Sequence, residues 1–209
     1  MNRQPTSRER GSTARASFGA VLLKPDAIAA GQEEIIKSIL IPRLASFGGR
    51  IVTERVLPTL SATEVAAIYP TLQPKVLTDV ADYLASGPSL GLIVEAPLPE
   101  PTLTNRIIEI KGPRVGDRTL PRLLEGRITN GTLRDLLPLP GDEERYQDLI
   151  PAILLRQANP AQRLADPLYG FSPEQYHYYS RNLVHSPDDA AELQGLLSVL
   201  GVTAMEHAE

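Results

Sequence analysis

Cysteine is absent from this 209-residue chain, which excludes a disulfide frame, a thiolate zinc site and a cysteine nucleophile. Tryptophan is absent too, and with only three phenylalanines the core must be mainly aliphatic. The three histidines, His177, His185 and His207, are too few for a histidine-rich metal site. No apolar run reaches the ~20 residues of a membrane span, and no signal-peptide core is visible. The expected setting is therefore the cytoplasm, away from membranes. A basic excess is also missing: the formal charge of −4 argues against a duplex nucleic-acid binder. What is present, 42% hydrophobic residues, suffices for one domain with additions.

Residues 1–17 hold Arg3, Arg8, Arg10 and Arg15 among Ser, Thr and Gly and read as a disordered basic tail. A single domain is expected over 18–203, with a short tail at 204–209. Ala20–Lys24 reads as a buried strand running into Lys24-Pro25-Asp26. Gln32–Phe47 has helical spacing, with Pro42 expected to kink or split it. Arg50–Leu57 reads as a strand, and Ser61-Ala62-Thr63-Glu64 as a capping box opening a helix that reaches Tyr69. A helix over Lys75–Ala85, a strand over Leu90–Val94 and a helix over Thr102–Lys111 follow. Gly112–Asp135 is a Gly- and Arg-rich loop with functional potential. Leu136–Ser180 is rich in Pro and Tyr, with one helix near Tyr146–Gln157. The order contains the split βαββαβ plan of a ferredoxin-like α+β sheet.

The stretch Tyr179–Asp189 then reads as a short apolar strand ending on His185, with a helix start directly after it. Ser186 suits an N-cap, Pro187 the first helical position, and Asp188 and Asp189 the positive end of the helix dipole. Taken alone, this reads more readily as a capping or surface histidine than as a reactive one. The same holds elsewhere: Lys24 could be a solvated strand end, Arg106 and Arg134 surface ion-pair partners, Tyr69 a rim aromatic and Asn182 a turn residue.

Together these residues carry a resemblance. Val21-Leu22-Leu23-Lys24-Pro25-Asp26 resembles the opening strand and Lys-Pro-Asp turn of the nucleoside diphosphate kinase family. Tyr69 lies in the matching helix, and Tyr83-Leu84-Ala85-Ser86-Gly87-Pro88 resembles the family's Tyr-Met-x-Ser-Gly-Pro. Arg106 matches its first phosphate-binding arginine, Gly131-Thr132-Leu133-Arg134 its Gly-Thr-Ile-Arg, and Asn182-Leu183-Val184-His185 its Asn-Ile-Ile-His. The order and spacing agree over about Phe18–Asp135 and Arg181–Leu200.

The resemblance implies a ping-pong transfer of the γ-phosphate of ATP or another triphosphate to a nucleoside diphosphate, through phospho-His185. It assigns Arg106, Arg134 and, by the fragment Thr119-Leu120-Pro121, Thr119 to phosphate. Lys24 and Asn182 would hold the ribose 3′-hydroxyl, and Tyr69 would support Lys24 and the histidine. Magnesium would arrive with the nucleotide phosphates rather than in a protein cage. The chemistry suits these residue types. Imidazole, with an ordinary pKa of about 6.5, is a nucleophile near neutral pH without a separate base. Phosphoryl transfer otherwise needs positioning and fixed positive charge.

The chain departs from the family in four places. Ser186-Pro187-Asp188 stands where the family has Gly-Ser-Asp. The glutamate that orients the histidine falls on Leu196 without gaps, leaving Glu192 as the candidate. The base-stacking aromatic falls near Val76 or Leu77, implying aliphatic base contact. Leu136–Ser180 replaces a short connection and is expected to pack against the body; it favours a dimer over the familiar hexamer. Two other readings stay open: a nucleotide-binding sensor or scaffold with little turnover, and an assembly protein working through the insert.

Overall fold

Alternation along the first strand divides the core in two. In the computed structural model, which describes residues 16–112, 132–133, 142–166, 168–172, 175 and 183–202, β1 spans Ser17–Leu23. Val21 and Leu23 join one apolar cluster, while Ala20 and Leu22 join another. Successive side chains of a strand point to opposite faces, so both faces of the sheet are covered.

On the first face lie α1 (Pro25–Ala29), α2 (Glu33–Ala45) and α5 (Thr102–Lys111), which contribute Ile36, Leu40, Leu44, Leu103 and Ile107. On the second lie α3 (Ala62–Ile68), α4 (Pro74–Ala85) and the last described helix, Ala190–Val199, through Val65, Ile68, Leu84, Leu193 and Leu196. The strands β2 (Arg50–Leu57), β3 (Ser89–Ala96) and β4 (Val184–His185) complete an antiparallel sheet of order β2-β3-β1-β4. This is the expected α+β, ferredoxin-like order with β1 and β3 central.

Local signals account for several boundaries. Ser61 Oγ accepts from Glu64 N, and Glu64 Oε2 accepts from Ser61 N at 2.8 Å, closing the capping box. Pro42 does not split α2, which runs through it. It sits in the last turn, where a missing N–H costs only one late backbone hydrogen bond.

The larger correction concerns the helix after His185. Its N-cap is Asp189, whose carboxylate accepts from Ala191 N and Glu192 N, and not Ser186. Ser186 and Pro187 are instead buried in the turn after β4. A carboxylate in extended backbone outcompetes a buried hydroxyl for the free N–H groups of a first turn.

Within the insert, α6 (Asp142–Ala158) and the short α7 (Pro160–Ala165) are described. Leu149, Ala152, Ile153, Leu168 and Phe171 form a third cluster that closes over Val76, Leu72 and Val80 of the α3–α4 region. Burying a Leu, Ile or Phe contributes about 1.5–3 kcal/mol each, so this segment is bound to the body by its own apolar face. We label Ala190–Val199 as α8. It lies close against α3, and Gly195 makes that approach possible: a Cβ there would overlap the carbonyl of Ala67. Among the described residues no helix is long and apolar enough to cross a membrane.

Candidate functional site

Two hooks deliver His185 to one end of the sheet. β4 pairs with β1 only at Leu22↔His185 and Leu23↔Val184. Just before it, Leu183 has φ 53, a left-handed backbone that costs a leucine about 1–2 kcal/mol. The turn is held by Lys24 N donating to Leu183 O at 2.8 Å and by Leu183 N donating to Asp26 Oδ2 at 3.3 Å. The Lys24-Pro25-Asp26 segment therefore shapes the histidine's backbone as well as carrying a lysine. Strain retained beside a buried histidine is a mark of a functional site.

His185, paired with Leu22, faces the side of the sheet covered by α3, α4 and α8. Tyr69, at the C-cap of α3, sets its ring 4.6 Å from the imidazole, tilted by 52°. Lys24, only 6% exposed, holds its Nζ 5.7 Å from the ring centre of Tyr83 on α4, within the range of a cation–π attraction. From α8, Glu192 Oε2 approaches His185 Nε2 to 3.8 Å, an electrostatic contact longer than a hydrogen bond. The same oxygen accepts from Asp188 N at 3.0 Å. The Ser186 hydroxyl, 1% exposed, makes no hydrogen bond among the described residues.

A buried lysine closes the far side. Lys111, the last residue of α5, is 4% exposed. Its Nζ donates to Ser186 O at 2.9 Å and to Asp188 Oδ1 at 2.7 Å. Nothing in the sequence pattern singled it out, since a lysine ending a helix ordinarily lies in water beside the negative dipole end.

Burial pushes the Glu192 carboxyl above its ordinary 4.5, with the negative charges of Asp188 and Asp189 adding to the rise. The Asp188 N–H and the charge of Lys111 act against it. A raised folded-state pKa means that the folded protein holds this proton more tightly than the unfolded chain. Stability attributable to Glu192 is thus greatest below pH 4.5 and falls as pH rises through the raised value. Glu192→Gln, which keeps an acceptor for Asp188 N, should gain stability relative to the parent chain over that rise. Denaturation midpoints measured from pH 4 to 8 check this: the gap should open in favour of glutamine and then level off. A gap that narrows with rising pH contradicts the sign.

Of the residues singled out from sequence, Lys24, Tyr69 and His185 are brought together. Arg106 stands on the exposed face of α5, with Nη1 paired to Glu109 at 3.0 Å. Val76, 2% exposed, packs against the insert, and Leu77 lies partly buried beside the second core cluster. Thr119, Arg134 and Asn182 lie outside the described residues. Leu196 is fully buried core, while Glu192 takes the place beside the imidazole.

No family model matches the chain, and none of the curated proteins matches it. Solved structures do. A nucleoside diphosphate kinase of Aquifex aeolicus is 15% identical and superposes with a TM-score of 0.52, over 89% of this chain and 95% of that one. A transition-state mimic of the Borrelia burgdorferi nucleoside-diphosphate kinase, with bound vanadate and ADP, is 13% identical. Its TM-score is 0.54, over 88% of this chain and 86% of that one. An NDP kinase from Pyrobaculum aerophilum is 17% identical with a TM-score of 0.50, over 88% and 94%. The chain has the nucleoside diphosphate kinase fold.

Proposed function

We propose that this protein is a nucleoside diphosphate kinase, moving the γ-phosphoryl group of ATP or another nucleoside triphosphate to a nucleoside diphosphate through phospho-His185. The observation that carries this reading is the Glu192 carboxylate beside Nε2 of a buried histidine on a strained turn. A carboxylate there favours the tautomer with its proton on Nε2, leaving the Nδ1 lone pair for attack.

In the first half-reaction Nδ1 forms a bond to the γ-phosphorus while the bond to the bridging β–γ oxygen breaks. The nucleoside diphosphate leaves with that electron pair. The proton stays on Nε2, where Glu192 offsets the charge gained by the ring. The second half-reaction reverses these steps, with a terminal oxygen of the acceptor diphosphate attacking the phosphohistidine. Tyr69, against the ring face, limits its rotation. Lys24 brings positive charge to the ribose hydroxyl and phosphates, and Asn182 joins it there. Arg106 would exchange its exposed Glu109 partner for phosphate, and Arg134 and Thr119 complete the phosphate contacts.

Magnesium is part of the substrate in this reading, offsetting charge on the phosphates when the nucleotide binds. Val76 is packed under the insert and unavailable to a base, so aliphatic base contact falls to the partly buried Leu77 and suits low base selectivity. The working form is a homo-oligomer, with a dimer favoured, in the cytoplasm.

A second reading, a nucleotide-binding homologue with little turnover, is favoured by the engagement of Arg106 with Glu109. One measurement separates the two. Incubation with γ-labelled ATP and magnesium should leave label that is stable to alkali, lost in acid, and transferable to added diphosphate. Nucleotide binding without such label would leave the second reading standing.

A further inference from the structure

Lys111 has no part in the reaction just described, yet it is among the most buried charged groups of the described chain. Taking an ammonium out of water costs several kcal/mol unless it is paired and hydrogen-bonded. Lys111 donates to Ser186 O and Asp188 Oδ1, 75 and 77 positions away, and both belong to the turn that follows His185. From that turn Asp188 N donates to Glu192 Oε2, the oxygen that faces His185 Nε2. A chain of contacts therefore runs from the end of α5, through the turn, to the imidazole.

We propose that Lys111 is a positioning residue for His185, tying the Ser186–Asp188 turn to α5 and so holding the Glu192 carboxylate, with a positive charge near it, beside the ring. This deepens the phosphohistidine reading and depends on it for any consequence in catalysis.

The charge balance around Glu192 supports it. Asp188 and Asp189, from the turn and the cap, face the carboxylate with negative charge, and Lys111, from α5, faces it with positive charge. Among the described residues His185, from β4, is the other titratable group close to the carboxylate, and Tyr69, at the C-cap of α3, sets its ring 4.6 Å from the imidazole. Lys111 is thus the cation among these groups. A neutral Glu192 could no longer favour the Nε2–H tautomer, so loss of the lysine would blunt the nucleophile without touching it. A plain structural brace would hold the turn but leave the titration of the carboxylate where it was.

The test reads the histidine directly, in nucleotide-free full-length protein. Imidazole nitrogen-15 shifts are followed by NMR from pH 4.5 to 9, with His185→Asn assigning the signal among the three histidines. The parent chain should show the Nε2–H tautomer over neutral pH and an inflection where Glu192 titrates. Lys111→Met should move that inflection up in pH and mix the tautomers, while Lys111→Arg should leave both near the parent values. Asp188→Asn, an exposed change that removes a negative neighbour, should move the inflection down, and it serves where Lys111→Met does not fold. With γ-labelled ATP, Lys111→Met should be labelled more slowly, by up to about 100-fold.

A folded Lys111→Met with the parent's inflection and tautomer overturns the proposal, as does an Asp188→Asn inflection that stays put or rises. Because the shifts are read without nucleotide, failure to phosphorylate the parent chain would sink the kinase reading and not this one.

Discussion

His185→Asn is expected to lower the rate of acid-labile labelling by about 10⁴-fold or more, the scale on which removing a nucleophile suppresses an enzyme that depends on it. Asparagine supplies a polar side chain of smaller volume and no lone pair of comparable nucleophilicity. The imidazole is 5% exposed and lies against Tyr69, so the substitution also leaves a small void. That costs stability in the range of about 1–3 kcal/mol without dismantling the core. Nucleotide affinity should change by only a few-fold, since Lys24 and the proposed phosphate ligands remain. Equilibrium binding of a fluorescent nucleotide analogue, measured beside the labelling rate, separates the two effects. Label retained at the parent's rate would remove His185 from the mechanism, whatever the affinity.

Gly195→Ala is expected to destabilise the fold by about 3 kcal/mol or more, with the melting temperature falling by roughly 6–12 °C. A Cβ at this position would overlap the Ala67 carbonyl oxygen, and would lie 2.6 Å from the carbonyl carbon. Both neighbours are helix backbone, so no rotamer change relieves the contact, and α8 must move away from α3. That shift would also carry Glu192 away from His185, since α8 bears the glutamate one turn earlier. Gly31→Ala is the control. It has φ +63 but nothing within 4 Å of the added carbon, so it should cost only the backbone strain, about 1 kcal/mol. Thermal unfolding of the two variants side by side decides the matter. Equal losses would mean that α3 and α8 are not in close contact.

Much of this architecture is legible in local sequence because local physics sets it. Alternation separates Val21 and Leu23 from Ala20 and Leu22, Ser61 and Glu64 close their own cap, and α5 begins and ends where its pattern does. The turn after His185 is where local reading fails. Ser186-Pro187-Asp188 has the form of a helix start, but tertiary packing buries the first two residues and passes the cap to Asp189. Glu192, three residues beyond that cap, and not the ungapped Leu196, meets the imidazole. Lys111 was hidden for a related reason: its partners are distant in sequence, and a terminal lysine carries no sign of where it points. Arg106 shows the reverse limit, since a family motif marks it while its own helix pairs it with Glu109.

The two edges of the sheet are unequal. β2 is paired with β3 from Arg50 to Leu57, whereas β4 meets β1 at two residues and depends on the hooks from Lys24 and Asp26. Resistance to local opening follows the density of such ties, so it declines across the sheet toward the strand that bears His185. His185 rides on the part of the sheet that can open at least cost, and mild stress would displace it while the β1–β3 core still stands.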